Sequence, residues 1–407
     1  MESNYGCLER RCRRGSFVEQ VLTTFTSMMI GTSVLMGCAT LCGASEKESR
    51  WVHPLCQQLP IDRNGPFINL ADGTLMASDI DGMRTSNDDG KTWSKAHPVG
   101  EGVGTSPSLL SHIPVLQGVR CPASVYFQKT RSGVLVGVYL DTSTYLPLSP
   151  AIWDEEIDEP TAPCRLDVGA IRSLDGGKTW TDQQIVLDGM NSPFFALIQT
   201  RSGRLVAALP HLVSDPGRWV ACSVTSDDDG KTWKRSHWID LGGRGHHSGA
   251  MEPTVAELSD GRLLMLIRTH WGRFWEAFSE DEGLSWRTIR PSQIESNSSP
   301  GHLLKLRSGR LVFVTNDAEG GAYFMEGRKR LFIRFSDDDA KTWTKPTLIA
   351  SEKGGQLSYP YIHERRPGEL WITVGFSFKK PWEDTVPLRL KVNEEEFLRA
   401  VRGKKKR

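Results

Sequence analysis

The chain has no excess of charge of either sign: its 407 residues carry 50 Lys plus Arg against 49 Asp plus Glu. That balance excludes an overall field that would draw in nucleic acid or an anionic membrane surface, so any partner has to be recognised locally. No helical hydrophobic period of any length precedes the charged stretch Val392 to Arg402, and past the first 44 residues no apolar run is long enough to cross a bilayer. Cysteine is sparse as well. Outside the first 44 residues only Cys56, Cys121, Cys164 and Cys222 occur, without the paired spacing of a zinc site. Three disulfide pairings, or four buried free thiols, are open to them. Acidic runs such as Asp227-Asp228-Asp229 lack the downstream bidentate Glu of an EF-hand, which favours turns over calcium loops. What is abundant is 39 Gly and 13 Trp within a 38% hydrophobic composition. That is too apolar for a disordered chain and suits many short strands joined by tight turns.

The opening residues read as an address. Arg10, Arg11, Arg13 and Arg14 precede an apolar run from Val21 to Met36, and small residues follow at Gly37, Ala39, Gly43 and Ala44, the order of a secretory signal. Leu35-Met36-Gly37-Cys38 has the form of a lipoprotein cleavage site, with Cys38 as the lipidated residue, whereas ordinary cleavage near Ala44 is the other reading. Either one predicts export to the periplasm, the medium or, through a lipid on Cys38, the cell envelope.

Two repeats then interleave. Five segments share Ser-x-Asp-x-Gly-x-Thr/Ser-Trp, namely Ser86 to Trp93, Ser173 to Trp180, Ser226 to Trp233, Ser279 to Trp286 and Ser336 to Trp343. In such a turn the Asp takes hydrogen bonds from nearby backbone N–H groups, Gly adopts a geometry that other residues resist, and the Trp buries its ring beneath. Ala340 replaces the Gly in the last, which predicts a distorted or strained turn. Six Gly turns, at Asp72-Gly73, Ser132-Gly133, Ser202-Gly203, Asp260-Gly261, Ser308-Gly309 and Pro367-Gly368, each lead through one residue into a Leu or Val-Leu strand start. Each of the first five is followed by a Trp-ended turn. This predicts an all-β, six-bladed β-propeller of four-stranded antiparallel blades, because one short sheet cannot bury both faces whereas six arranged radially cover one another. The sixth unit has no Trp turn and is expected to be completed by a strand from near Trp51 to Leu59. The expected division is a leader over 1–44, a propeller over 51–390 and a charged tail over 391–407.

The Trp-ended turns are Asp boxes, and with the six hairpins the stretch from about Ile61 to Phe378 resembles the sialidase (neuraminidase) family. The boxes are structural, so the resemblance carries chemistry only through residues between them. Sialic acid bears a carboxylate on its anomeric carbon; members hold that group with Arg forks and attack with a Tyr assisted by a Glu, using an Asp as acid and then base. Glu252-Pro253-Thr254 through Leu266-Ile267-Arg268 is similar to the stretch that begins with the activating Glu and ends on a triad Arg. By the same likeness Arg328 is the next Arg, with Arg330 as fallback, and Gly355-Gln356-Leu357-Ser358-Tyr359-Pro360 carries the nucleophile as Tyr359, with Tyr361 as decoy.

The first half departs from the family pattern. Asn64 stands two residues before Pro66 where members have Arg, leaving Arg63 beside it as the candidate only if a bend re-aims it. Arg120-Cys121-Pro122 has the right local form but precedes the second hairpin. The acid is expected in the short loop Ala77 to Thr85, as Asp79, with Asp81 next to it. The polar loop Gly242 to Gly249 holds His246 and His247, which would touch substrate, supply acid/base function or simply be exposed. Trp271, Phe274 and Trp275 would stack on a sugar or pack between blades.

The resemblance thus implies a retaining exo-α-sialidase-like hydrolase acting on a glycan, without metal or organic cofactor. Tyr359, Glu252 and Asp79 are its expected catalytic residues, and Arg268, Arg328 and Arg63 its substrate clamp. Two other readings remain: a propeller glycosidase for another acidic or deoxy sugar, and a binding propeller that keeps the arginines as an anion clamp but has no need of Glu252 beside Tyr359.

Overall fold

The computed structural model describes residues 50–79, 82–103, 125–148, 152–316, 326–380 and 383–403. The leader with Cys38, and Asp81, Arg120, Cys121 and 404–407, lie outside the described residues, as does the side chain of Asp79.

Six antiparallel blade sheets follow one another along the chain, each beginning with its innermost strand, and a two-stranded hairpin, Trp153–Asp154 with Glu159–Pro160, juts from the second. The first blade holds Phe67–Asn69, Leu75–Asp79 and Gly82–Ser86, and an isolated Met83–His97 bridge stands where a fourth strand would run. The second holds Val125–Lys129, Leu135–Leu146, Arg165–Ser173 and Thr181–Leu187, and the third Leu197–Gln199, Leu205–Val213, Arg218–Ser226 and Lys234–Arg235. The fourth runs Met251–Glu257, Leu263–Arg268, Arg273–Ser279 and Ile289–Glu295. In the fifth, His302–Lys305, Leu311–Asn316, Arg330–Ser336 and Thr347–Glu352 gain an edge strand, Arg50–Val52. The sixth comprises Gln356–Arg366, Glu369–Lys380 and Arg389–Asn393, with Cys56–Gln58 outermost.

The chain's start therefore does close the sixth blade, but only through Cys56–Gln58. Trp51 pairs with Ser351 of the fifth blade instead, where Arg50 also bonds to Glu352 at 2.5 Å. The C-terminal stretch departs further from expectation. Strand Arg389–Asn393 runs across the 390 boundary, and a helix over Glu394–Gly403 follows it. Phe397 and Leu398 are buried in the core shared by blades five and six, Phe397 lying near Phe335 and His53. The helix is amphipathic, and Val401 packs against the same core.

The repeats explain the core. Leu75, Leu135, Leu205, Leu263, Leu311 and Leu370, one from each Gly-turn hairpin, are all fully buried. At about 1.5–3 kcal/mol per buried side chain, these positions alone bind the blades together strongly. In the first Asp box, Asp88 accepts from the Thr92 N–H at 2.9 Å and the Thr92 hydroxyl at 2.7 Å, while Gly90 N–H donates to Ser86 Oγ at 2.8 Å. The fifth box keeps this pattern despite Ala340, whose N–H donates to Ser336 Oγ at 2.9 Å. The turn is thus undistorted; the strain sits in Ala340 itself, held at φ +63°.

Residues of all six innermost strands line a single cavity of about 500 Å³, which marks the propeller axis. Tyr126, His302, Tyr361 and His363 face it. Among the described cysteines Cys56, Cys164 and Cys222 are free, and burial pushes the Cys56 and Cys222 thiols up to about 12.

Candidate active site

Innermost strands of the blades start at one end of the propeller, and each second strand finishes there. Residues at those ends, widely separated in sequence, are thereby brought to one place. Glu252 opens the innermost strand of blade four, and Arg268 ends the next strand with its backbone paired to Met251. Arg328 lies in a 3-10 turn, Glu326–Lys329, leading into the strand Arg330–Ser336. Tyr359 sits near the start of the innermost strand of blade six.

The four side chains converge. The Tyr359 hydroxyl donates to Glu252 Oε1 at 2.8 Å, and Arg268 Nη1 donates to Glu252 Oε2. One carboxylate therefore bridges a phenol and a guanidinium. Arg328 places its guanidinium carbon 5.9 Å from the centre of the Tyr359 ring. Ser298, which the sequence did not single out, ties the arginines together: its Oγ accepts from Arg268 Nη2 at 3.3 Å and its carbonyl from Arg328 Nη2 at 2.9 Å. The signal for it was a polar run, Ser296-Asn297-Ser298-Ser299, at the entrance to an innermost strand, the same place that Glu252 and Tyr359 occupy in their blades.

Backbone geometry aims these groups. Glu252, Ser298 and Tyr359 all adopt the left-handed region, with φ of +37°, +59° and +60°, a conformation that is unfavourable for residues other than Gly. Register slips between Met251 and Thr254, so a bulge turns Glu252 away from simple alternation and towards Tyr359.

The site is closely packed, with Tyr359 9% exposed, Glu252 5%, and Arg268 and Arg328 3% each. Burial opposes the charge on Arg268, but Glu252 and Tyr359 outweigh it and raise its pKa. For Arg328, burial and the neighbouring Arg268 prevail and lower the pKa to about 10, leaving the group cationic at neutral pH. Two guanidinium groups and one carboxylate make the cluster net positive, which suits an anionic ligand. His247 keeps open surface beside it; partial burial, His246 and the two arginines hold its pKa below the usual imidazole value. His246 lies 4.2 Å from His247 and 5.3 Å from Trp153, ring centre to ring centre, so the histidine loop forms a wall braced by an excursion from blade two.

Other candidates fall elsewhere. Arg63 is not brought to the cluster: its guanidinium lies over Trp93, 5.3 Å from the ring centre, and 3.6 Å from Asp62. Asn64 is likewise turned aside, its Oδ1 accepting from Arg389 at 2.9 Å. The chain bends at Asp62, but Asn64 is fastened to blade six and Arg63 is left over Trp93. Asp79 closes the strand Leu75–Asp79 opposite Gly82. Arg330 lies over Phe332. Tyr361 accepts from the Phe67 N–H at 2.9 Å inside the axial core, where burial raises its pKa. Phe274 is core, stacked edge-on to Phe313, while Trp271 remains exposed.

Residues 152–372 match the family model described as a BNR repeat-like domain. A sialidase of Micromonospora viridifaciens is 26% identical over 329 residues, 74% of this chain and 46% of that protein, so the chain spans about half the length of the curated relative it matches. Among solved structures, a point mutant of the NanB sialidase of Streptococcus pneumoniae aligns with a TM-score of 0.52 at 15% identity, covering 83% of this chain and 71% of that one. An α-L-arabinanase of Penicillium chrysogenum aligns at 0.50 and 13% identity, covering 84% and 99%. At such identities the two structures speak for a shared fold, one that hosts more than one glycosidase chemistry. The matched repeats, the sialidase relative and the six-bladed architecture together make this chain a member of the BNR repeat-like family with a propeller of the sialidase type.

Proposed function

We propose that the protein hydrolyses the glycosidic bond of a terminal acidic sugar, sialic acid in the leading case, with retention of configuration. The observation that carries this reading is the Glu252 carboxylate held between the Tyr359 hydroxyl and the Arg268 guanidinium. A binding propeller has no use for that contact. In the proposed reaction Arg268 and Arg328 grip the sugar carboxylate. The Tyr359 oxygen bonds to the anomeric carbon as the bond to the leaving glycan breaks, and Glu252 takes the phenolic proton. A neutral nucleophile avoids the repulsion that a carboxylate would meet at this carbon. The departing oxygen takes a proton from the general acid, for which Asp79 is the candidate by sequence. That same group then deprotonates a water that adds to the anomeric carbon, and Tyr359 leaves and recovers its proton from Glu252. The leader-like first 44 residues support a place for this activity outside the cytoplasm, with or without a lipid on Cys38.

A different acidic or deoxy sugar is the second reading, favoured by the position of Arg63 over Trp93 rather than at the clamp. Both are tested by turnover of fluorogenic α-sialoside, Kdo and uronide substrates, with Tyr359→Phe alongside. Sialoside turnover that falls at least a hundredfold in the variant is expected. Turnover of another substrate alone would select the second reading, and an unaffected Tyr359→Phe enzyme would remove Tyr359 as nucleophile.

A further inference from the structure

The axial cavity lies away from the cluster of Glu252, Arg268, Arg328 and Tyr359, none of which lines it. Innermost strands start at the cluster's end of the propeller and finish at the other, so Lys129, Gln199, Glu257, Lys305 and Glu364, late in those strands, mark the far mouth of the cavity. Its floor is aromatic. The rings of Tyr126 and His302 lie 6.1 Å apart, and His302 stacks on Tyr361 at 5.2 Å.

At about 500 Å³ the space is of a size that holds small-molecule ligands. Each innermost strand is paired on one side only, so its other edge turns backbone N–H and C=O groups towards the axis. His302 adds a directed donor. It is 4% exposed and lines the cavity, and its Nδ1 accepts from the Ile362 N–H at 2.8 Å. Burial holds the imidazole neutral, its pKa below the usual value. The proton therefore resides on Nε2, which has no hydrogen-bond partner among the described residues.

Charges at the mouth are unequally engaged. Glu257 accepts from the N–H and from Nε of Arg201, both at 3.0 Å. Glu364 accepts from the N–H groups of Arg307 and Gly368 at 2.8 and 3.0 Å. Among the described residues, by contrast, the Lys305 ammonium reaches the Ser259 hydroxyl at 3.2 Å and no carboxylate. Lys129 forms no ion pair there either, although the exposed Asp72 senses its charge. Arg307 is exposed, and its charge is felt by His363 inside the cavity. Lys129, Lys305, Arg307 and Arg201 against Glu257 and Glu364 are four cations to two carboxylates, a net charge of +2. Ammonium groups without counter-ions, set over a space lined with donors, suit an anion supplied from outside.

We propose that the axial cavity is a second ligand site, separate from the arginine pair, for a small polyvalent anion, either a dicarboxylate or a phosphate. Lys129 and Lys305 hold it at the mouth, and the His302 Nε2–H meets it from the floor. The two lysines belong to blades two and five, which stand across the axis from each other in a six-bladed ring.

The test is calorimetric titration of the full chain with succinate, glutarate and inorganic phosphate, and with erythritol as an uncharged control. At least one anion is expected to bind saturably at one site per chain, equally in wild-type protein and in Arg328→Met, whereas erythritol does not bind. Which anion binds separates the carboxylate from the phosphate source. Affinity should fall at least tenfold when Lys129→Met and Lys305→Met are combined, with the melting temperature unchanged, and should persist when both lysines are replaced by Arg. His302→Phe should weaken the same anion; where that buried variant fails to fold, the lysine pair decides. Wild-type protein that binds none of the three anions, binding that survives the double methionine variant, or undiminished binding in folded His302→Phe protein would each overturn the proposal. Binding lost in Arg328→Met would also overturn it and assign the anion to the arginine pair.

Discussion

Replacing Glu252 by Gln probes both the chemistry and the electrostatics of the cluster. The carboxylate uses one oxygen for the Tyr359 hydroxyl and the other for Arg268, so both partners are donors. Glutamine keeps a single acceptor oxygen, and its NH₂ group would be set against either the phenol or the guanidinium. The local charge of Arg268, Arg328 and residue 252 rises from +1 to +2, and Arg268 is left buried without its counter-ion. Breaking a buried pair in this way costs about 3–5 kcal/mol, which denaturant unfolding of the ligand-free protein should register. Loss of the base that receives the phenolic proton should lower kcat by about 10²–10⁴. Binding of an anionic sugar should not weaken, because the clamp has gained net positive charge and lost an internal competitor for Arg268. The expected signature is a destabilised, slow enzyme whose KM is no higher than that of the parent, and whose unfolding midpoint rises more on adding an acid sugar. Wild-type kcat together with an unchanged unfolding midpoint would refute the assigned role of Glu252.

Two further substitutions test the placement of Arg63 and the strain in Ala340. Arg63→Ala should leave kcat/KM within about threefold of the parent, and should cost no more than about 1 kcal/mol from the lost contact with Trp93; a collapse of turnover would put Arg63 back in the clamp. Ala340→Gly removes a left-handed alanine whose strain is about 1–2 kcal/mol, offset by about 0.5–1 kcal/mol of glycine flexibility. The unfolding midpoint should therefore hold or rise, and a lower midpoint would mean that the alanine methyl contributes more by packing than it strains.

The Asp boxes and Gly-turn hairpins determined the architecture before any coordinates, because both are local. Ser, Asp and Gly at fixed spacing make the same turn wherever they occur, and a Leu at a fixed place in each hairpin is buried in every blade. Six copies then leave radial packing as the way to cover both faces of every sheet. Candidate clamp and nucleophile positions Glu252, Arg268, Arg328 and Tyr359 were legible only through the resemblance to sialidases, with the repeats as the landmarks that aligned them. The second-unit companions Arg120 and Cys121 lie outside the described residues, and so does the Asp79 side chain.

What only the tertiary structure decided depends on backbone departures and on contacts between distant segments. Whether Arg63 or Tyr361 joins the site turns on where the chain bends around Gly65 and Pro66 and on which face of its strand each residue occupies; the propeller placed Arg63 over Trp93 and Tyr361 against Phe67. Ser298 gave no motif beyond a polar run, since its part in tying Arg268 to Arg328 comes from neighbours contributed by two other stretches of chain. Cys56–Gln58 and Arg50–Val52, six residues of the same short segment, went to different blades because strand pairing is settled by available edges rather than by order. The sequence alone thus determined a repeating six-bladed propeller and the residues that stand at its strand ends. Their convergence on one carboxylate required three left-handed backbone positions and a bulge, which no local pattern encodes.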